Sequence, residues 1–187
     1  YYPSRQDADT FKYFDDSRYM HEAIWTNPID YFKMLFGINC NTEYFNTHYF
    51  NNMSNWVRSY DNGLFNDNRL MIRINAFFRL FSFGNYHVHS IVLSYLAFMG
   101  SFSLSKVFYK VSQSKVLSYI AVFLVPSLVF WSSGILKEAV LLSALGFFTY
   151  HFYQLFGSEK KWHNYAVVIT VSCVLIVLKL YVFMAFL

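Results

Sequence analysis

Carboxylates nearly vanish from the second half of this chain: beyond Gly84 only Glu138 and Glu159 remain. Charge is scarce throughout, at 14% of 187 residues against 56% hydrophobic and 22% aromatic. A soluble domain of this size cannot bury that much apolar surface, so a purely soluble fold is excluded. The net charge is only +4 and no basic run is interleaved with polar surface, so no nucleic-acid groove is expected. Cysteine is equally sparse. Cys40 lies in the polar half and Cys173 inside an apolar run, so two unpaired thiols are expected rather than a disulfide framework or a zinc spacing. His87 and His89 are two apart and would point to nearly opposite sides of a helix, so they do not form a metal site.

What is abundant is length without charge. Four near-continuous apolar runs, Ser90 to Tyr109, Val116 to Ser133, Ala139 to Phe156 and Tyr165 to Leu187, each approach the ~20 residues that cross a ~30 Å hydrocarbon core as a helix. The expected fold is an all-α membrane protein. It has about four transmembrane helices (90–109, 116–133, 139–156, 165–187, together residues 85–187) and a preceding segment, residues 1–84, with interfacial amphipathic helices. Pro126 should kink the second span. No initiator methionine or basic leader stands at Tyr1, and no polar flank follows Leu187, so the expectation is part of a longer polytopic protein.

Lysines orient the spans. Lys106, Lys110 and Lys115 lie between spans one and two, and Lys160 and Lys161 between spans three and four. The positive-inside rule puts both connections in the cytoplasm. Residues 1–84 and the turn from Trp131 to Glu138 then face outward, with every acid except Glu159. The localisation expected is a bacterial cytoplasmic (inner) membrane, with a periplasmic loop.

The outer segment holds three amphipathic stretches. Asp7-Ala8-Asp9 opens the first, on which Asp9, Asp16 and Met20 lie near one face. Asn27-Pro28 opens the second, with Ile29, Phe32, Leu35 and Phe36 opposite Asp30 and Lys33. An Asn- and aromatic-rich stretch with Gly63 then leads to the third, Asn68 to Gly84. There Arg69, Arg73 and Arg79 oppose Leu70, Ile74, Phe77, Phe78 and Phe81, the pattern of a helix lying in the membrane interface. Its arginines suit either lipid headgroups or the diphosphate of a lipid-linked substrate.

Lys179 stands inside the last run, ~20 Å from its start at 1.5 Å per residue. A lysine there either faces a polar cavity or snorkels to the headgroups. Lys137-Glu138 opens the third span on the outer side. Together with Lys179 and the Asp pairs it suggests a pocket at the membrane surface.

An acidic, aromatic first outer loop, followed by spans joined through a short outer turn with an acid at the start of a span, resembles the membrane-embedded glycosyltransferases of the GT-C fold. The likeness is carried by Asp7-Ala8-Asp9 with Tyr13-Phe14, by Arg69 to Phe83, and by Trp131-Ser132-Ser133-Gly134-Ile135-Leu136-Lys137-Glu138. It implies a cell-envelope enzyme that moves a sugar from a polyprenyl-phosphate carrier to an acceptor at the extracytoplasmic face. The catalytic acids would be Asp9 (or Asp7) and Glu138, with Lys137, Lys179, Arg69 and Arg73 on the carrier phosphate. A divalent ion suits such oxygen ligands but is not required. The expected partners are a lipid-linked sugar, membrane lipids and subunits of a membrane complex. Two other readings stand beside it: a Wzy-like polysaccharide polymerase or ligase built on Arg58, Arg69, Arg73 and Arg79, and a non-catalytic transmembrane subunit.

Overall fold

The computed structural model describes residues 8–57, 66–157 and 161–186. Asp7, Arg58, Gly63, Glu159 and Lys160 lie outside them. Among the described residues the chain is helical with no strand, and it divides into two compact units, Tyr1–His89 and Ser90–Leu187.

The first unit packs α1 (Asp9–Thr26), α2 (Pro28–Phe36) and α4 (Asp67–Ser82) around a core that includes Tyr13, Met20, Tyr31, Met34, Met71 and Ile72. A short helix, α3 (Glu43–His48), and a 3-10 turn (Phe50–Asn52) close one side, where the Phe50 ring stacks on buried Trp56 at 4.0 Å. Local chemistry sets the boundaries. Pro28 takes the first position of α2, where its missing N–H is no loss. Gly37 ends that helix at φ 73°, a left-handed turn that also gives the Arg73 guanidinium room to lie against it. Asn66 caps α4 by accepting from the backbone N–H groups of Asn68 and Arg69. Ala8 caps α1 without a side-chain bond, and Asp9 stands in the first turn, where the helix dipole favours it.

The third amphipathic stretch is a helix, and its charged side is turned inward. Asn68, Asn75, Arg79 and Ser82 of α4 are buried, whereas Phe77, Leu80 and Phe81 are exposed. The expected apolar arc is therefore only partly the outer face, since Phe78 is buried and Leu70 and Ile74 are half-buried.

Among the described residues three helices are long and apolar enough to cross a membrane: Tyr86–Ser112 (α5, 27 residues), Lys137–Phe156 (α8, 20 residues) and Trp162–Ala185 (24 residues of α9, Trp162–Phe186). The run read as the second span is not one helix. It breaks at Leu124 and Val125 into α6 (Lys115–Phe123) and α7 (Pro126–Trp131), because the ring of Pro126 bars Val125 from helical geometry and holds it extended.

Within the second unit the α6–α7 pair runs antiparallel to α5. Ser118 meets Ser112 at one end, the Phe123 ring lies 5.8 Å from Phe98 in the middle, and the carbonyl of Ser133 accepts from the Ser90 hydroxyl at the other. Where α5 crosses α8, Gly100 and Gly146 meet backbone to backbone, so closely that a Cβ on either would overlap the other helix. Helices α8 and α9 form a hairpin around Ala144, Phe148 and Leu175.

Candidate functional site

The α8–α9 hairpin is closed at its two ends by polar pairs. At one end His151 Nδ1 and Asn164 Oδ1 are 2.9 Å apart; at the other, Lys179 Nζ lies 3.8 Å from Glu138 Oε1. Glu138 belongs to the first turn of α8, so Lys179 stands level with the start of that helix. Lys179 is also where α9 leaves helical geometry, at φ −154° and ψ 88°. The chain then turns back. Phe183 packs against Phe148 with centroids 5.9 Å apart, ten residues or ~15 Å along α8 from Glu138. A straight helix would have carried Phe183 beyond Glu138 instead.

Unwound backbone in an otherwise membrane-length helix is tolerated where protein or a cavity covers it. Glu138, one member of the charged pair, also lines a cleft. This cleft of about 240 Å³ lies between α7 and α8, lined by Ser127, Leu128, Trp131, Glu138, Leu142 and Leu145 among others. Its walls are mainly hydrocarbon with one carboxylate on its lining. Side-chain exposure of 32% for Glu138 and 22% for Lys179 leaves both groups within reach of a ligand. Lys137 is the neighbouring cation at the same helix start.

No protein family, curated protein or solved structure matches the chain. The character of the site therefore rests on its own residues.

The first unit uses its acids in two ways. Asp9 is exposed, with one long bond from Asn55 Nδ2 at 3.5 Å. Asp16, on the same side of α1, is fully buried and accepts from the backbone N–H groups of Ser54 (2.8 Å) and Asn55 (2.7 Å). Burial raises the Asp16 carboxyl above its ordinary value, against the opposing pull of those two donors. Asp30 is likewise structural: its Oδ2 accepts from Asn27, Tyr44 and Tyr49. Burial, and then the Asp30 charge, pushes Tyr49 up to about 12.

The arginines of α4 also have partners inside this unit. Arg69 donates to the Trp56 carbonyl at 3.2 Å, and Arg73 donates to the Met34 carbonyl at 2.9 Å. Both guanidinium groups lie over the Trp56 ring, at 5.1 and 5.5 Å. Arg79 donates to Ser17 Oγ and to the Phe14 carbonyl, each at 2.7 Å, and stacks on Phe14 at 4.1 Å. Burial pulls Arg73 down, and Arg79 down to about 10.

His89 is buried and His87 exposed. Asn75 Nδ2 donates to the Met71 carbonyl, which turns Asn75 Oδ1 toward His89 Nδ1 at 2.8 Å. The imidazole then carries its proton on Nδ1 and accepts from the Ser82 hydroxyl through Nε2, at 2.6 Å. This relay is structural. The two-residue spacing of His87 and His89 excludes a shared metal ion but carries no signal of Asn75 and Ser82 as the partners of His89.

Proposed function

We propose that the chain belongs to a membrane-embedded transferase that moves a sugar from a polyprenyl-phosphate carrier to an acceptor at the extracytoplasmic face, in the manner of GT-C glycosyltransferases. In this reading the α6–α7 pair is a fourth, broken crossing, residues 1–84 are extracytoplasmic and the membrane is a bacterial inner membrane. The support for a fourth crossing is that α6–α7 accompanies α5 from Ser112 to Ser90, ~33 Å of helix.

One observation carries the reading: a carboxylate and an ammonium pair beside an apolar cleft where a membrane-length helix unwinds. The chemistry needs those parts. The acceptor hydroxyl loses its proton to a carboxylate, its oxygen attacks the anomeric carbon, and the bond from that carbon to the phosphate oxygen breaks. Polyprenyl phosphate leaves, and its charge is met by a cation. Glu138 takes the proton and Lys179 meets the phosphate. The resting ion pair links the two roles, since a phosphate that captures Lys179 frees Glu138 to act as a base. Asp9, one of the exposed acids of the first unit, is the other candidate for that proton. Lys137 is a second phosphate donor. Arg69 and Arg73, held by main-chain carbonyls, have a positioning role within their unit, which disfavours the arginine-based polymerase.

The alternative of a non-catalytic subunit draws on the exposed Trp25, Ile29, Phe32 and Phe36, which suit a protein partner. The surface glycans of cells lacking the gene, complemented with wild type, Asp9→Asn or Glu138→Gln at matched expression, separate the two. Transferase activity requires that a missing sugar return with wild type and not with Glu138→Gln. Full rescue by both variants would leave the subunit reading.

A further inference from the structure

A second cleft, of about 260 Å³, opens at the other end of the second unit, where α5 ends and α6 begins. Its polar lining is Lys106 and Lys115, Tyr109 and Tyr119, and Ser105 and Ser118. The two serines donate inward: Ser105 Oγ bonds the Phe102 carbonyl and Ser118 Oγ bonds the Ser114 carbonyl. That leaves two ammonium groups and two phenol hydroxyls as the donors facing the opening. No carboxylate lines the cleft, and among the described residues neither lysine has an acid partner. Lys106 is instead held over the rings of Phe102 (4.6 Å) and Tyr150 (5.4 Å), which fixes its direction without neutralising it.

Donors of one sign, with no acceptor charge, on walls that continue into the membrane-length α5 and the apolar α6 match an anionic group on a hydrocarbon tail. We propose that this cleft binds the phosphate of an anionic phospholipid headgroup. The lysines supply charge, the phenols supply directed hydrogen bonds to the non-bridging oxygens, and α5 and α6 flank the acyl chains. The site is at the opposite end of α8 from Glu138 and is independent of the proposed transfer reaction. It predicts a lipid requirement that substitutions at Glu138 do not change.

The test is native mass spectrometry of the full chain released from detergent micelles doped with phosphatidylglycerol or phosphatidylcholine. Wild type should retain phosphatidylglycerol with about thirtyfold greater affinity than Lys106→Gln/Lys115→Gln, at a contribution of about fivefold per lysine. Phosphatidylcholine should be retained weakly and equally by both. Lys106→Arg/Lys115→Arg should restore retention, which shows that the glutamine variant failed through charge and not through misfolding. Adding inorganic phosphate distinguishes the source of the phosphate. Phosphatidylglycerol that survives millimolar phosphate marks a headgroup site, whereas its displacement marks a site for soluble phosphate and overturns the lipid assignment. Equal phosphatidylglycerol retention by wild type and the glutamine variant overturns the site altogether.

Discussion

Lys179 reaches Glu138, 3.8 Å away, from the very residue at which α9 unwinds. The break thus sets a cation beside the first turn of α8 and folds the following residues back onto Phe148. Because both side chains keep partial exposure, the pair itself contributes less than about 1 kcal/mol to stability after solvent screening. Glu138→Gln and Lys179→Met should therefore melt close to wild type in detergent, while sugar transfer falls by about 10²-fold or more. A loss of folded protein that parallels the loss of transfer would assign the pair to structure instead.

Gly146 should tolerate no side chain, alanine included. A side chain there must displace the backbone of Gly100, which cannot yield as a flexible side chain would. Gly146→Leu is expected to cost about 3 kcal/mol or more and to collapse the monodisperse peak in fluorescence-detected size exclusion. Gly146→Ala should already diminish the peak and lower the melting temperature, because its Cβ alone meets the Gly100 backbone; an unchanged peak and melting temperature would mean that the crossing is looser than this.

Asp16→Ala removes the acceptor of two backbone N–H groups and should destabilise the first unit by about 1–3 kcal/mol, read as increased hydrogen exchange at Ser54 and Asn55. Acidification adds a signed check. The folded Asp16 pKa is raised, so the folded state holds this proton more tightly than the unfolded state. Wild type should gain stability relative to Asp16→Ala as pH falls through the raised value, with the gain complete below the ordinary carboxylate range. A relative loss on acidification would mean that the two N–H donors outweigh burial.

Arg79→Lys should fail to replace arginine. One guanidinium serves Ser17, the Phe14 carbonyl and the Phe14 ring together, a planar geometry that an ammonium does not reproduce. A destabilisation of about 2–3 kcal/mol is expected for both Arg79→Lys and Arg79→Met in urea titrations monitored by tryptophan fluorescence. Recovery by lysine would reduce the role to bare charge.

Helix content and the membrane-length runs were legible in the sequence, because unbroken apolar length is a local property. So was the disturbance at Pro126, although a full break rather than a kink depends on how Val125 and Leu124 settle. The inward turn of α4 was not legible. A helical wheel separates Arg69, Arg73 and Arg79 from the phenylalanines, but it does not say which side another helix covers. The helical wheel placed Asp16 on one face with Asp9 and Met20 but could not show its burial, because its partners, Ser54 and Asn55, are 38 and 39 residues away. The unwinding at Lys179 has no proline or glycine to announce it. Lysine among apolar residues was the only signal, and it did point to the candidate site.

The most direct test of the transferase account is mass spectrometry of lipid extracts from cells carrying a deletion of the gene, complemented by wild type, Glu138→Gln or Lys179→Met. The account predicts that polyprenyl-phosphate sugars accumulate in the deletion strain and in both variants and return to baseline with wild type. Unchanged lipid-linked sugars in the deletion strain, or baseline levels restored by both variants, would contradict it.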